Sequence, residues 1–86
     1  MSRYTVEVTT SAQKELRRLD SLVRKRVVRA IAELAEEPRP VGCKKLKARD
    51  GYRVRIGDHR VIYTIDDGRV TVVVIKVGPR GDVYDR

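Results

Sequence analysis

The sequence predicts an α+β domain, ordered β-α-α-β-β-β, in which a helical hairpin covers one face of a mostly antiparallel four-stranded sheet. Three observations lead there. Apolar residues alternate with polar ones near the N-terminus and again from about residue 52 onward. Between these stretches an apolar stripe recurs at helical spacing, and Pro38 and Pro40 close that stripe before the second set of strands begins. With 86 residues the chain has room for one core only, so residues 1–86 are expected to form a single domain.

Tyr4, Val6 and Val8 alternate with Arg3, Thr5, Glu7 and Thr9, which marks the first strand. Thr10 reads as a helix N-cap, with Gln13 three residues later completing a capping box. Leu16, Leu19, Val23, Val27, Ala30 or Ile31, and Leu34 then form one helical stripe. Asp20-Ser21 offers a second N-cap inside it, dividing the stripe into a short helix over about 11–19 and a longer one to about 36. Pro38 and Pro40 end the hairpin, and Val41 to Lys45 reads as a loop. Tyr52, Val54 and Ile56 alternate with Arg53 and Arg55. Gly57-Asp58 is a two-residue hairpin turn, and Val61, Tyr63 and Ile65 continue the alternation in the return strand. Asp67-Gly68 makes the next turn. The strand from Val70 to Val77 is apolar on both faces apart from Thr71 and Lys76, as suits a central strand.

Lys and Arg number 20 against 12 Asp and Glu, a formal net charge of +8, which points to a polyanionic partner such as nucleic acid, an acidic protein or an anionic surface. The longest purely apolar run, Val72 to Ile75, is far too short for a bilayer span, so no membrane role and a cytoplasmic location are expected. A lone Cys43 and a lone His59 cannot by themselves build a tetrahedral zinc site, and no cofactor is expected. Four Tyr, with no Trp or Phe, make a thin stacking platform for single-stranded RNA.

The hairpin at Gly57-Asp58 sets a register with chemical consequences. It pairs Ile56 with His59 and Arg55 with Arg60, so Arg53, Arg55 and Arg60 share the sheet face away from the helices. Like charges directly opposite each other are unfavourable, and an anion is the natural partner; arginine, forked and always charged, suits phosphate. Arg80 lies just past the last strand, and Tyr84 follows. A solvated face neutralised by Asp58, Asp66, Asp67 or Asp82 fits the same spacing. The Lys44, Lys45 and Lys47 run reads as a solvated loop or as a contact for RNA, and the basic helix surface of Arg17, Arg18, Arg24, Lys25, Arg26 and Arg29 as a solvated face. By its pairing with Ile56, His59 points to the helix-covered side, a partly buried structural histidine.

The segments Tyr52-Arg53-Val54-Arg55-Ile56-Gly57-Asp58-His59-Arg60-Val61-Ile62-Tyr63, Val74-Ile75-Lys76-Val77-Gly78-Pro79-Arg80 and Asp82-Val83-Tyr84, together with the Lys14-x-Leu16-x-x-Leu19-Asp20 start of the hairpin, resemble the RelE toxins of the RelE/ParE superfamily. The resemblance implies the toxin of a toxin–antitoxin pair, a metal-independent endoribonuclease that cuts mRNA in the ribosomal A site. It also implies a RelB-like antitoxin, with operator DNA bound only through the antitoxin complex. The family's catalytic positions fall on Arg53, Arg55, Arg60, Arg80 and Tyr84, and Lys44, Lys45 and Lys47 join Arg53 and Arg55 as RNA-binding candidates. RelE members carry lysines where this chain has Arg53 and Arg55. Arginine is a poor general base at ordinary pH, so catalysis is expected to be slow, to rest on Tyr84, or to depend mainly on the ribosome orienting the 2′-hydroxyl. The ParE branch, whose members inhibit DNA gyrase, and a degenerate toxin that only binds its antitoxin are the alternatives.

Overall fold

The computed structural model describes residues 3–47 and 49–79. The chain runs β1 (Thr5–Val8), α1 (Thr10–Arg17), α2 (Ser21–Glu33), β2 (Lys44–Lys45), β3 (Tyr52–Ile56), β4 (His59–Asp66) and β5 (Thr71–Pro79). These strands form one sheet in the order β1-β5-β4-β3-β2. β1 runs parallel to β5, and every other pairing is antiparallel. The α+β class and the helical hairpin are as the sequence predicts, with β5 central. The sheet has five strands rather than four, because Lys44 and Lys45 pair with Arg53 and Tyr52 at its edge, where the sequence reads as loop. Two lysines carry no strand signal of their own. Leu46 holds them there: its N–H donates to Gly51 O at 2.9 Å, and its side chain is buried against Ile62.

Thr9, not Thr10, is the N-cap of α1. It is still extended, as the continuation of β1, and its N–H donates to Val74 O. Its hydroxyl accepts from Ala12 N–H at 3.2 Å and donates to Ile75 O at 3.3 Å. The cap therefore satisfies an end of the helix and an edge of β5 together. Gln13 forms no capping box; its side-chain amide donates to Val8 O. Asp20 sits at the N-cap position of α2 without a side-chain cap bond. The junction is held instead by Arg24, whose Nη1 donates to the carbonyls of Arg17 and Leu19, placing a cation at the negative end of α1. α2 ends at Glu33, a few residues before the expected limit. In the turn that follows, Ala35 O accepts the N–H groups of Arg3 and Tyr4, tying the hairpin's end to the start of β1.

The core lies between the helices and the sheet. Ala12, Val27, Ile31 and Leu34 pack on Val61, Tyr63, Val72, Val74 and Val77, each large apolar side chain contributing about 1.5–3 kcal/mol on burial. On the opposite face Leu46 and Ile62, with Ile75 beside them, form a smaller apolar cluster. Ile75 is the extra residue of an irregularity in the β4–β5 ladder, where the register passes from Ile62↔Lys76 to Tyr63↔Val74. No helix among the described residues is long and apolar enough to cross a membrane.

A tyrosine–arginine lattice fastens β3 and β4 to the loop after α2. The fully buried Tyr63 donates its hydroxyl to Pro38 O at 2.7 Å, and burial pushes that phenol's pKa up. Its ring stacks on Tyr52 at 6.0 Å between centroids. The Arg39 guanidinium lies 5.2 Å from the centre of the Tyr52 ring and pairs with Asp67 at 3.0 Å. Asp67 also accepts from the Tyr4 hydroxyl at 2.7 Å. Arg39 first, and then Tyr4, hold the Asp67 carboxyl below its ordinary pKa.

Candidate active site

Arg53 and Arg55 lie on β3 and Arg60 on β4, with Arg55 paired to Arg60 and Ile56 to His59 across the Gly57-Asp58 turn. That is the register the hairpin predicts, and it brings the three arginines to the face away from the helices. Gly57 adopts φ +60°, the left-handed conformation a tight hairpin demands. Arg55 is exposed, and its Nε donates to Gly57 O at 3.2 Å, so the turn aims the guanidinium. Arg53 and Arg60 are half-buried. Arg60 Nε is buried with no hydrogen-bond acceptor among the described residues. Its partner on β5 is Gly78, which presents no side chain beside it.

Of the carboxylates that could have neutralised this face, Asp66 and Asp67 are engaged elsewhere, and Asp82 lies outside the described residues. Asp67 is engaged by Arg39 and Tyr4, and Asp66 accepts the N–H of Arg69. Among the described residues neither Arg55 nor Arg60 has a carboxylate within ion-pair distance. Two arginines opposed across the ladder make a site that an anion would complete, because a bound oxyanion accepts from exposed guanidinium N–H groups and screens the mutual repulsion.

The lysine run divides. Lys44 pairs with Arg53 and extends the arginine face at the sheet edge, whereas Lys45 pairs with Tyr52 and belongs to the other side, beside Arg39, Asp50 and Asp67. Lys47 is exposed beyond the strand. The structure thus gathers Lys44, Arg53, Arg55 and Arg60 but not Lys45. Arg80 and Tyr84 lie outside the described residues.

His59 is half-buried and lines a groove of about 440 Å³ with Glu15, Arg18, Leu19 and the end of β5, on the opposite side of the sheet from Arg60. Glu15 fills a structural role in that groove. Its Oε1 accepts the N–H of Val77 at 2.8 Å where β1 has already ended, and its Oε2 lies 3.9 Å from Lys76 Nζ. Sequence reasoning did not single out Glu15, and no local signal could have found it. Its bond spans 62 positions and depends on where β1 stops.

Comparison with known proteins bears on the family and the fold. Residues 6–84 match the family described as the ParE toxin of the type II toxin–antitoxin system parDE. Toxin RelG of Mycobacterium tuberculosis is 38% identical over 85 residues, covering 96% of this chain and 98% of the relative. The mRNA interferase toxin RelE of Escherichia coli is 33% identical over 85 residues, covering 94% and 90%. Among solved structures, the toxin–antitoxin complex RelBE2 from M. tuberculosis superposes with a TM-score of 0.81 at 35% identity, covering 95% of this chain and 97% of the matched one. Family, relatives and fold agree that the chain belongs to the RelE/ParE superfamily of type II toxin–antitoxin toxins and is of the RelE type.

Proposed function

We propose that this toxin is a ribosome-dependent endoribonuclease that cuts mRNA in the A site and stops translation in the cytoplasm. The observation that carries the reading is the Arg55–Arg60 pair, directly opposed on the open face of the sheet with no carboxylate beside it among the described residues. The 2′-hydroxyl attacks the adjacent phosphorus, the bond to the 5′-oxygen breaks, and a 2′,3′-cyclic phosphate and a 5′-hydroxyl result. One proton leaves the attacking oxygen, and one reaches the leaving oxygen. Negative charge grows on the phosphate oxygens in between, where Arg60, Arg53 and Arg55 stabilise it, with Arg80 as the fourth cation. Side chains suffice for this chemistry without a metal. Tyr84 is assigned to base stacking or proton transfer, since no arginine can accept the proton. Lys44 and Lys47 extend the basic path for RNA, and the ribosome supplies the orientation of the 2′-hydroxyl.

The M. tuberculosis neighbour was solved with its antitoxin, which supports a RelB-like antitoxin as the partner here. An acidic antitoxin would associate with the +8 chain at a rate that falls with salt.

Translating ribosomes programmed with a defined message test the reading, with cleavage mapped by primer extension. Cuts in the A-site codon are expected, and they should fall roughly 10²-fold or more in Arg60→Ala. Efficient, defined cutting of naked single-stranded RNA at near-physiological salt would remove the ribosome from the mechanism. Inhibition of DNA gyrase without any cleavage would favour the ParE branch, after which the matching family is named.

A further inference from the structure

We propose that Lys76 is a further binding residue of the arginine face, holding the phosphate next to the scissile one, and that Glu15 is the counter-ion it leaves when the message binds. This deepens the nuclease reading and rests on it for the identity of the phosphate. A regular β4–β5 ladder would send Lys76 elsewhere. Counted on from Tyr63↔Val74 without interruption, Ile75 would oppose Ile62 and Lys76 would oppose the fully buried Val61, on the side covered by the helices. The extra residue Ile75 moves the count by one. Lys76 then pairs with Ile62, Val77 takes the core position beside Val61, and Gly78 faces Arg60. Ile62 neighbours Arg53 on β3 and packs in the cluster away from the helices, so its partner Lys76 shares the face of Arg53, Arg55 and Arg60. Across the sheet one row reads Lys44, Arg53, Ile62, Lys76, and the next reads Arg55, Arg60, Gly78.

In that pattern Lys76 is the diagonal neighbour of Arg60, roughly 7–8 Å away between backbones and within reach of two long side chains. The residue directly opposite Arg60 is Gly78, which puts no side chain between the two cations. A backbone whose scissile phosphate lies at Arg60 can therefore continue over Gly78 to Lys76. The amine is open to such a contact, since the Lys76 side chain is 44% exposed. Its partner at present is Glu15 Oε2 at 3.9 Å, and an ion pair so long and so exposed is weak enough to exchange for a phosphate. The other oxygen of Glu15 accepts the Val77 N–H at 2.8 Å, which fixes the carboxylate and the end of β5 whichever way the lysine turns. One side chain is thus held and its partner is free to move, an arrangement suited to releasing a cation toward RNA without disturbing the strand.

The test compares Lys76→Gln, Lys76→Arg and Glu15→Gln with wild type in two assays. The first is binding of a fluorescein-labelled single-stranded 2′-O-methyl RNA, which cannot be cut, over a series of salt concentrations. For Lys76→Gln the plot of log affinity against log salt should be shallower by about 0.7, the loss of one phosphate contact to a single strand, and Lys76→Arg should restore it. The second is cleavage on programmed ribosomes, where Lys76→Gln should need about three- to fivefold more ribosome for half-maximal cutting while its single-turnover rate at saturation stays unchanged. Glu15→Gln keeps an oxygen for the Val77 N–H and removes the charge that holds Lys76, so it should bind the RNA more tightly than wild type. A merely structural Glu15–Lys76 pair predicts the opposite, a loss from either change. Equal salt slopes for wild type and Lys76→Gln, or weakened binding in Glu15→Gln at an unchanged urea midpoint, would overturn the proposal. The nuclease reading fails separately: an active Arg60→Ala would refute it, while the uncut RNA would still report on Lys76.

Discussion

Replacing Arg60 with methionine should make the toxin more stable and inactive at once. Arg60 faces Arg55 across the β3–β4 ladder, and opposed like charges cost about 0.2–1 kcal/mol. Its Nε is also buried without an acceptor among the described residues, and an orphaned donor costs about 1–3 kcal/mol. Methionine keeps an unbranched apolar stem and removes both penalties. The side chain is only half-buried, so the lower part of the combined range applies, a net gain of about 1–2 kcal/mol. For a domain of this size that raises Tm by roughly 5–15 °C. Urea unfolding and calorimetry would measure the gain, and single-turnover cleavage on programmed ribosomes should fall roughly 10²-fold or more. A destabilised variant would refute the energetic argument, because it would mean the guanidinium is satisfied in the folded chain. A stabilised variant with full activity would refute the assignment of Arg60 to the phosphate.

Tyr63→Phe removes the hydroxyl that donates to Pro38 O and should cost about 1–2 kcal/mol in urea unfolding with cleavage unchanged, since the ring still stacks on Tyr52. Asp67→Asn should flatten the acid limb of stability: the Asp67 pKa is lowered in the folded chain, so its contribution is in place above the ordinary carboxylate range and fades as pH falls through the folded value. Melting temperatures followed into the acid range should drop more steeply for wild type than for this variant. Gly51→Ala should destabilise more than Gly57→Ala, as a Cβ at Gly51 (φ +134°) meets Leu46 Cδ1 at 3.0 Å and Tyr63 O at 3.1 Å, whereas at Gly57 the nearest atom is the end of Arg26 at 3.9 Å. The Gly57 change carries only the left-handed backbone cost of about 1–2 kcal/mol, and equal midpoints in urea would contradict this ordering. Arg55→Lys should keep or raise single-turnover activity, increasingly so with pH, because an amine among Arg53 and Arg60 can lose its proton; an inactive variant would show that the forked geometry held by Gly57 O is required.

The arginine face was legible because its geometry is local. A two-residue turn at Gly57-Asp58 leaves one register for Arg55 and Arg60, and pleat alternation does the rest. What escaped depends on contacts distant in sequence. β2 exists through Leu46 and Ile62, and nothing in two consecutive lysines announces it. The division of Lys44 from Lys45 follows from that strand, so the lysine run looked like one group when it is two. Thr10 and Thr9 are equivalent candidates on paper. The choice falls to Thr9 because its N–H still belongs to the ladder with β5. The Arg39–Asp67 pair joins residues 28 apart and Tyr4–Asp67 residues 63 apart, beyond the reach of periodicity.

These long-range ties explain how a face of repelling cations stays ordered. β3 would lie near an edge with little to hold it, yet Tyr52 stacks on the buried Tyr63 and carries Arg39 on its outer side, while Tyr63 is anchored to Pro38. The strand is therefore held at the end next to Arg53. At the other end, the turn at Gly57 holds Arg55 through its carbonyl. Cations held this way need no rearrangement when charge develops on a phosphate, and that is the condition under which fixed electrostatics lowers a barrier most. Stability is supplied on the helix side and at the loop after α2, and part of it is given up at Arg55 and Arg60. Under the proposed nuclease reading, a site shaped for a phosphate is expected to show this imbalance.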